Sequence, residues 1–346
     1  MNKIIRWPAS LLVFGACLFL AEFAVRFCLP QLNPAHHIHF QAASETRPVL
    51  GPPNEAVRQI KNTGDFNIIV RFNADGLRDT RRFHDIRKDD FVFAGSSFTF
   101  GWGIEKKKRV SEQLEKFIGA RVINVSMTAG IDNYAKMLSY AASHGAEIGR
   151  VIIAVTMETD IKNYAPPSGR AVQNKTASNW KALNIPKPDA GLMAVKTYLM
   201  RHSAMYFLVT SLIHSTPALK ALAIRFGLIV PNLEGVREHR YSREETIAAA
   251  QYLARLAARY DTIVLLIPSR GLWHGDQKEA ENKRHRQFVE ELKKRSLNFV
   301  DLRTLFEATG DPLSLHFRND GHWNTKGHTL AARALAGFIR THYTGI

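Results

Sequence analysis

Five short apolar runs, each followed by a segment with helical spacing, constrain this chain most. They are Phe91 to Ala94, Arg121 to Val125, Val151 to Val155, Thr262 to Ile267 and Asn298 to Asp301. The helical segments are Glu112 to Ile118, Asn133 to Ser143, Glu244 to Arg259, Lys278 to Lys294 and Thr325 to Thr341. Strands with one wet face alternate apolar and polar residues, whereas FVFA, VIIAV and TIVLLI are nearly uniformly apolar. The alternation therefore predicts an α/β fold with a five-stranded parallel sheet covered by helices on both faces. In such sheets, sites form beyond the carboxyl ends of the strands.

The first run opens the stretch FVFAGSSFTFGWGI, Phe91 to Ile104. Its strand breaks at Gly95-Ser96-Ser97 and leads toward a helix. Free N–H groups at a helix start favour negative charge. A serine there can attack an ester carbonyl while N–H groups hold the oxyanion. Such a turn is common, so it carries weight only with a base and an acid.

Both residue types stand together near the carboxyl terminus, in Asn319-Asp320-Gly321-His322-Trp323-Asn324. Asn324 is a good N-cap for the closing helix, which leaves His322 in the loop before it. From that loop His322 can accept the serine proton and return it to a leaving group, with Asp320 holding its second ring nitrogen. Trp102 and Trp323 flank the two segments in sequence. Each is either a sugar-stacking wall or ordinary packing. Lys106-Lys107-Lys108-Arg109 opens a helix at the end unfavourable to cations and reads as a solvated face.

The chain has 346 residues with 45% hydrophobic content, enough for one large α/β domain with additions. Lys and Arg number 47 against 31 Asp and Glu, a formal charge of +16. That excess suits anionic membranes, acidic polysaccharides or nucleic acid. The basic residues are scattered and form no nucleic-acid-binding module, so no nucleic-acid partner is expected. Cys17 and Cys28 both lie in the amino-terminal apolar segment. The rest of the chain therefore holds no disulfide and no zinc–thiolate site.

Residues 1–7 form a short tail with Lys3 and Arg6, and 8–28 are apolar over a length that spans a bilayer. The leading positive charges favour a cytoplasmic amino terminus with the bulk of the chain outside. A cleaved signal peptide is the rival. The A-x-A pattern is missing, because Glu22 stands at the −3 position of a site after Ala24 and Phe14 at that of a site after Ala16. The residues before Cys17 also make a poor lipoprotein box. An uncleaved anchor is expected.

Residues 29–60, rich in proline, read as a linker, and 61–346 as the α/β domain. His36, His37 and His39 lack the spacing of a metal site. Phe66 to Phe72 alternates like a strand, and Asn73-Ala74-Asp75-Gly76 turns it. An insertion at about 164–240 opens with the loop Ala165 to Gly169. Met193 to Ile213 and Ala218 to Leu228 follow, apolar with helical spacing. Arg201, His202, His214, Lys220 and Arg225 interrupt any second spanning length. These helices pack on the domain, form a lid, or present an amphipathic face to a membrane.

Taken together, these residues resemble the SGNH/GDSL hydrolase family in its membrane-anchored bacterial form. The resemblance covers roughly 70–160 and 240–340. It implies a flavodoxin-like three-layer fold with an amino-terminal transmembrane helix and a helical insertion. Gly95-Ser96-Ser97-Phe98-Thr99 stands where the family has Gly-Asp-Ser-x-Thr, which implies Ser97 as nucleophile. Asn124 to Gly130, NVSMTAG, resembles the second block, with Gly130 as an oxyanion donor beside the Ser97 N–H. Asp320 and His322 match the last block, and Asn73-x-x-Gly76-Leu77-Arg78-Asp79 a stretch found upstream of the nucleophile.

Three departures stand out. Ser96 replaces the aspartate of the first block. Met157-Glu158-Thr159-Asp160 replaces Gly-x-Asn-Asp, which puts Thr159 at the oxyanion position or, one register over, a repelling Glu158. Asp320-Gly321-His322-Trp323 has the Asp-x-His-Trp form similar to the alginate O-acetylation proteins, an acetyltransferase-like branch. The resemblance implies a serine-dependent ester hydrolase or O-acyltransferase acting on acyl esters, acetyl above all, of a cell-envelope glycan. It would need no metal and no organic cofactor. Its partners would be the ester substrate, the bacterial inner membrane and envelope polysaccharide machinery. The catalytic domain would face the periplasm or the cell exterior. The alternative is a catalytically impaired glycan-binding or scaffold protein on the same fold.

Overall fold

The computed structural model describes residues 6–161, 190–229 and 242–343. From the amino terminus run α1 (Arg6–Cys28), β1 (Ala56–Ile60), β2 (Asn67–Arg71), β3 (Phe91–Ala94), α2 (Ser97–Phe100) and α3 (Val110–Ile118). Then come β4 (Val122–Asn124), α4 (Asp132–Ser143) and β5 (Arg150–Thr156). Further on are α5 (Ala190–His202), α6 (Ala204–Ser215), α7 (Pro217–Arg225) and α8 (Arg243–Ala257). The chain ends with β6 (Asp261–Ile267), α9 (Lys278–Lys294), β7 (Asn298–Asp301), α10 (Arg303–Glu307) and α11 (Thr325–His342). These elements divide into two compact units, one of residues 1–38, 57–67 and 180–230 and one of the remainder.

All five apolar runs are strands of one parallel sheet in the order β4-β3-β5-β6-β7. The expected α/β fold is what the chain adopts. From β3 the chain goes to β4 on one side and then to β5 on the other. That reversal of strand order opens a crevice at the carboxyl end of β3. Phe91, Phe93, Ile152, Ala154, Ile263 and Leu265 share one core with α3 and α11. The alternate residues, Val92, Ile153, Val155, Val264 and Leu266, are as fully buried. The two-residue period of a strand sends them to the opposite face, and α8 buries Ala249, Leu253 and Leu256. Both faces are thus dry, which explains the unbroken apolar runs.

Helix starts are satisfied in different ways. The Ser242 hydroxyl and the Glu245 carboxylate close a capping box on α8. Asn324 caps α11 by accepting from the N–H groups of Lys326 and Gly327. α3 has no side-chain cap at Arg109. Its first N–H, of Val110, instead donates to Nδ1 of His328 on α11 at 3.2 Å. Burial, aided by the cations of Arg109 and Arg78, pushes His328 down to about 3. It therefore stays a neutral acceptor.

Two expectations change. The stretch 29–60 carries 3-10 turns at Pro30–Leu32 and Pro34–His36 rather than running as a plain linker. Its later part is packed: Leu50 is buried, and the Gly51 N–H donates to the Gly76 carbonyl at 2.9 Å. A Cβ on Gly51 would fall 2.1 Å from the Phe72 ring, so only glycine fits there. Prolines had masked apolar residues that pack. Arg109, read with its lysine neighbours as a solvated face, is wholly buried and paired with Glu112 and Asp79. Lys107 and Lys108 stay at the surface beside Glu105.

In the other unit, Ser10–Cys28 is, among the described residues, the one single helix long and apolar enough to cross a membrane, with mean hydropathy 2.0. α6 packs against α1. Lys3 and the loop Ala165 to Gly169 lie outside the described residues.

The His328 contact makes a pH prediction. An unfolded histidine titrates near 6.5 and the folded one near 3. The contribution is complete above about 6.5 and is lost as pH falls through that window, at roughly 1.4 kcal/mol per pH unit. His328→Gln keeps an acceptor without a titrating ring. In urea unfolding of the detergent-solubilised chain, the stability of wild type relative to His328→Gln is expected to fall by about 2 kcal/mol between pH 6.5 and pH 5.

Candidate active site

Ser97 is the first residue of α2, directly beyond β3. The turn that sets it there needs glycine before it. A Cβ on Gly95 would lie 2.3 Å from Thr99 Oγ1 and 2.9 Å from the Ala154 methyl. Ser96 is buried, and its hydroxyl shares a 2.9 Å hydrogen bond with Thr156 at the end of β5. The Thr99 hydroxyl donates to Ser126 Oγ at 2.9 Å, and Asn124 Nδ2 donates to the Thr99 carbonyl at 2.9 Å. The α2 turn is therefore pinned by β5 on one side and by the loop after β4 on the other.

The segment Asn73 to Asp79 holds the far side of the same turn. Asn73 Oδ1 accepts from the N–H groups of Asp75 and Leu77, and Gly76 takes the left-handed conformation at φ 73°. This hairpin carries Arg78 inward. Its guanidinium donates to the carbonyls of Phe100, Gly101 and Ile104, just after α2. Burial, and next the neighbouring cation of Arg109, lower Arg78 to about 9.

His322 sits in a short hairpin before α11. The Phe317 N–H donates to the His322 carbonyl at 2.9 Å and the Asn324 N–H to the Leu315 carbonyl at 2.9 Å. Asp320 Oδ1 accepts from both the backbone N–H of His322, at 3.0 Å, and its ring Nδ1, at 2.5 Å. With Nδ1 as donor, the ring's Nε2 is left as an acceptor, and it lies 2.8 Å from Ser97 Oγ. The chain brings Ser97, His322 and Asp320 into one line of hydrogen bonds.

The other expected site residues fall out differently. Gly130 lies on the loop between β4 and α4, partly exposed. The backbone N–H groups of Ser97 and Gly130 make no hydrogen bond among the described residues. Thr159 is exposed on the turn after β5, with its hydroxyl 3.4 Å from Asp160 Oδ1. The Trp102 ring lies 5.8 Å from the His322 ring and is half-buried. Trp323 is 0% exposed, with Phe98, Phe306 and His328 around it. It is a core residue and no wall for a sugar, because the hairpin turns its ring under the site.

Two further charged groups belong here: Glu158, read from the sequence as a repelling group, and Arg270, which the sequence did not single out. Glu158 is buried and accepts two hydrogen bonds from the Arg270 guanidinium, at 2.7 and 3.2 Å. Arg270 loses hydration by burial, yet its pKa is raised because Glu158 and then Asp320 favour the cation. The pairing cancels the repulsion that Glu158 would offer an oxyanion. Arg270 also explains Gly321: a Cβ there would lie 2.6 Å from the guanidinium carbon. The cation thus packs flat against the backbone between Asp320 and His322. Its one sequence signal was its place just beyond the carboxyl end of β6.

Below Ser96, Asp160 accepts from the Thr156 N–H and the Tyr134 hydroxyl, both at 2.8 Å. Burial raises Asp160 to about 7.

A doubly wound parallel sheet, a serine at the end of its first strand and a histidine in the loop before the last helix define the α/β domain and its candidate site. Within it, residues 234–345 match the family of the SGNH hydrolase-like domain of the acetyltransferase AlgX. The match takes in Arg270, Asp320, His322 and Trp323, and Ser97 lies ahead of it.

Among solved structures, the chain is similar to a lipase/acylhydrolase from Enterococcus faecalis at 10% identity and TM-score 0.40, over 74% of this chain and 97% of that one. A member of the lipolytic G-D-S-L family from Veillonella parvula aligns at 12% identity and TM-score 0.39, over 74% and 99%. A carbohydrate esterase family 2 enzyme with a carbohydrate-binding domain, from Corynascus thermopiles, aligns at 12% and TM-score 0.40, over 74% and 67%. No curated protein matches the chain.

The Arg270–Glu158 pair predicts strong coupling. Breaking a buried pair leaves one uncompensated charge, at a cost of about 3–5 kcal/mol. Glu158→Gln and Arg270→Met are each expected to lose that much in urea unfolding. The double variant is expected to lose at least about 1 kcal/mol less than their sum.

Proposed function

We propose that this chain is a serine-dependent ester hydrolase or O-acyltransferase acting on acetyl esters of a cell-envelope glycan. The observation that carries this reading is the hydrogen-bonded line from Ser97 through His322 to Asp320. In the proposed reaction His322 Nε2 takes the Ser97 hydroxyl proton as Oγ bonds to the ester carbonyl carbon. Asp320 holds the ring in the tautomer that accepts and stabilises the imidazolium. The N–H groups of Ser97 and Gly130, with the Thr159 hydroxyl, receive the oxyanion. The carbonyl re-forms, the alcohol leaves with the proton from His322, and an acetyl-serine remains. Water or a sugar hydroxyl then gives its proton to His322 and attacks the acetyl group. Hydrolysis and transfer differ only in that acceptor.

The match to the SGNH hydrolase-like domain of an acetyltransferase supports both the chemistry and the acetyl group. The half-buried Trp102 beside His322 supports a sugar contact. Lys3 and Arg6 ahead of the apolar helix support a single-pass anchor in a bacterial inner membrane, with the α/β domain on the periplasmic side, near envelope polysaccharide machinery. The rival is a non-catalytic glycan-binding or scaffold protein. It is favoured by Thr159, an exposed hydroxyl where the family carries the longer asparagine amide.

A fluorophosphonate probe and an acetyl ester substrate separate the two. Wild type is expected to be labelled, and Ser97→Ala and His322→Gln to lose at least about a thousandfold in turnover with unchanged folding. Wild type that labels no better than Ser97→Ala sinks the catalytic reading. For transfer, an oligosaccharide acceptor is expected to lower free acetate and yield an acetylated sugar. Free acetate indifferent to every acceptor speaks for hydrolysis.

A further inference from the structure

Between Ala190 and Ile229 the sequence holds Lys196, Arg201, Lys220 and Arg225 and no acidic residue. The same stretch is strongly apolar and folds as α5, α6 and α7. α6 and α7 together are as apolar as a membrane span, but they bend by 101° at Pro217 and do not run as one rod. Their buried contacts are few and mostly small, through Ala204, Phe207 and Ala223. The large side chains point outward. Val209, Leu212, Leu219, Leu222, Phe226 and Leu228 are each 43–66% exposed. Apolar side chains exposed on this scale would be a liability on a water-facing side.

The tie to α1 says what covers it. Glu22 on α1 pairs with Arg26 at 2.6 Å. The same carboxylate accepts from Ser203 Oγ at 2.8 Å and from the N–H groups of Ala204 and Met205 at 2.8 and 3.0 Å. It therefore caps the start of α6 from within the apolar helix. Glu22 lies six residues before Cys28, the end of α1, or about 9 Å along the axis. Helices that lie in a bilayer surface bury their apolar side roughly 5–10 Å deep. With the bilayer surface at the end of α1, α6 would be fixed to the anchor at the depth where such a helix sits. Four basic residues and no acidic one in the sequence of this stretch suit anionic headgroups.

We propose that the outward apolar face of α6 and α7 lies in the lipid surface beside α1, giving the chain a second, interfacial contact with the membrane. This rests on α1 being an uncleaved anchor.

The test uses the full chain in phosphatidylcholine–phosphatidylglycerol vesicles. Cys17 and Cys28 are replaced by serine, and single cysteines at Leu212, Leu222 or Phe226 carry an environment-sensitive fluorophore. Glu290→Cys on α9 reports a water-exposed site. A label on native Cys17, with only Cys28 replaced, reports the anchor. Labels at Leu212, Leu222 and Phe226 are expected to lose most of their fluorescence to nitroxide-bearing lipid and to be shielded from iodide, as at Cys17. The Glu290 site is expected to do the reverse. The proposal falls if the three labels respond to iodide as Glu290 does while Cys17 stays embedded. It falls equally if they are shielded from iodide yet indifferent to nitroxide, since a protein such as a second copy then covers the face. A Cys17 label indifferent to nitroxide overturns the anchor, and the proposal with it.

Discussion

The hydrogen bond between Ser97 and His322 joins residues 225 positions apart, and a parallel sheet is what makes it available. Parallel strands deliver every following loop to the same end. β3 brings Ser97 there, β5 brings Glu158 and Asp160, and β6 brings Arg270. The hairpin before α11 brings His322 to the same edge. The reversal of strand order at β3 opens the space in which they meet. No local propensity could hold such a contact. It exists because two dry faces of apolar side chains fix the strands in register.

Around that contact, buried charge does the holding. Arg78 ties the far side of the α2 turn through three carbonyls. Arg270, held by Glu158, packs against the Gly321 backbone. Each guanidinium offers several fixed donors, so one side chain can satisfy several backbone acceptors that water cannot reach. The same burial makes each expensive to disturb. Rigid support of this kind suits a site whose donors must be in place before charge develops on a substrate.

The unit built on α1 follows a different logic. Many of its large apolar residues are exposed, and the half-buried Glu22 carboxylate serves as a helix cap. In the sheet unit the described large apolar residues are buried or half-buried instead, apart from Ile69 and Leu305. On the proposed membrane contact, lipid is the solvent in which the first arrangement is stable.

Periodicity and turn chemistry were enough to read the five strands, the main helices, Ser97 and the Asp320–His322 pair, because those signals are local. An apolar run shows its strand, and an N-cap such as Asn324 shows where the loop ends. Burial and partners are not local. Trp323 could not be told from a surface aromatic until its hairpin turned it inward. Arg109 looked solvated beside three lysines, and only the approach of Asp79 and Glu112 made it a buried ion. Glu158 read as a threat to an oxyanion until Arg270, from another strand, neutralised it. The sequence by itself determined which elements form and which residue types reach the sheet edge. The tertiary structure alone decided which charges pair and which faces are dry, because those depend on distances between segments far apart in the chain.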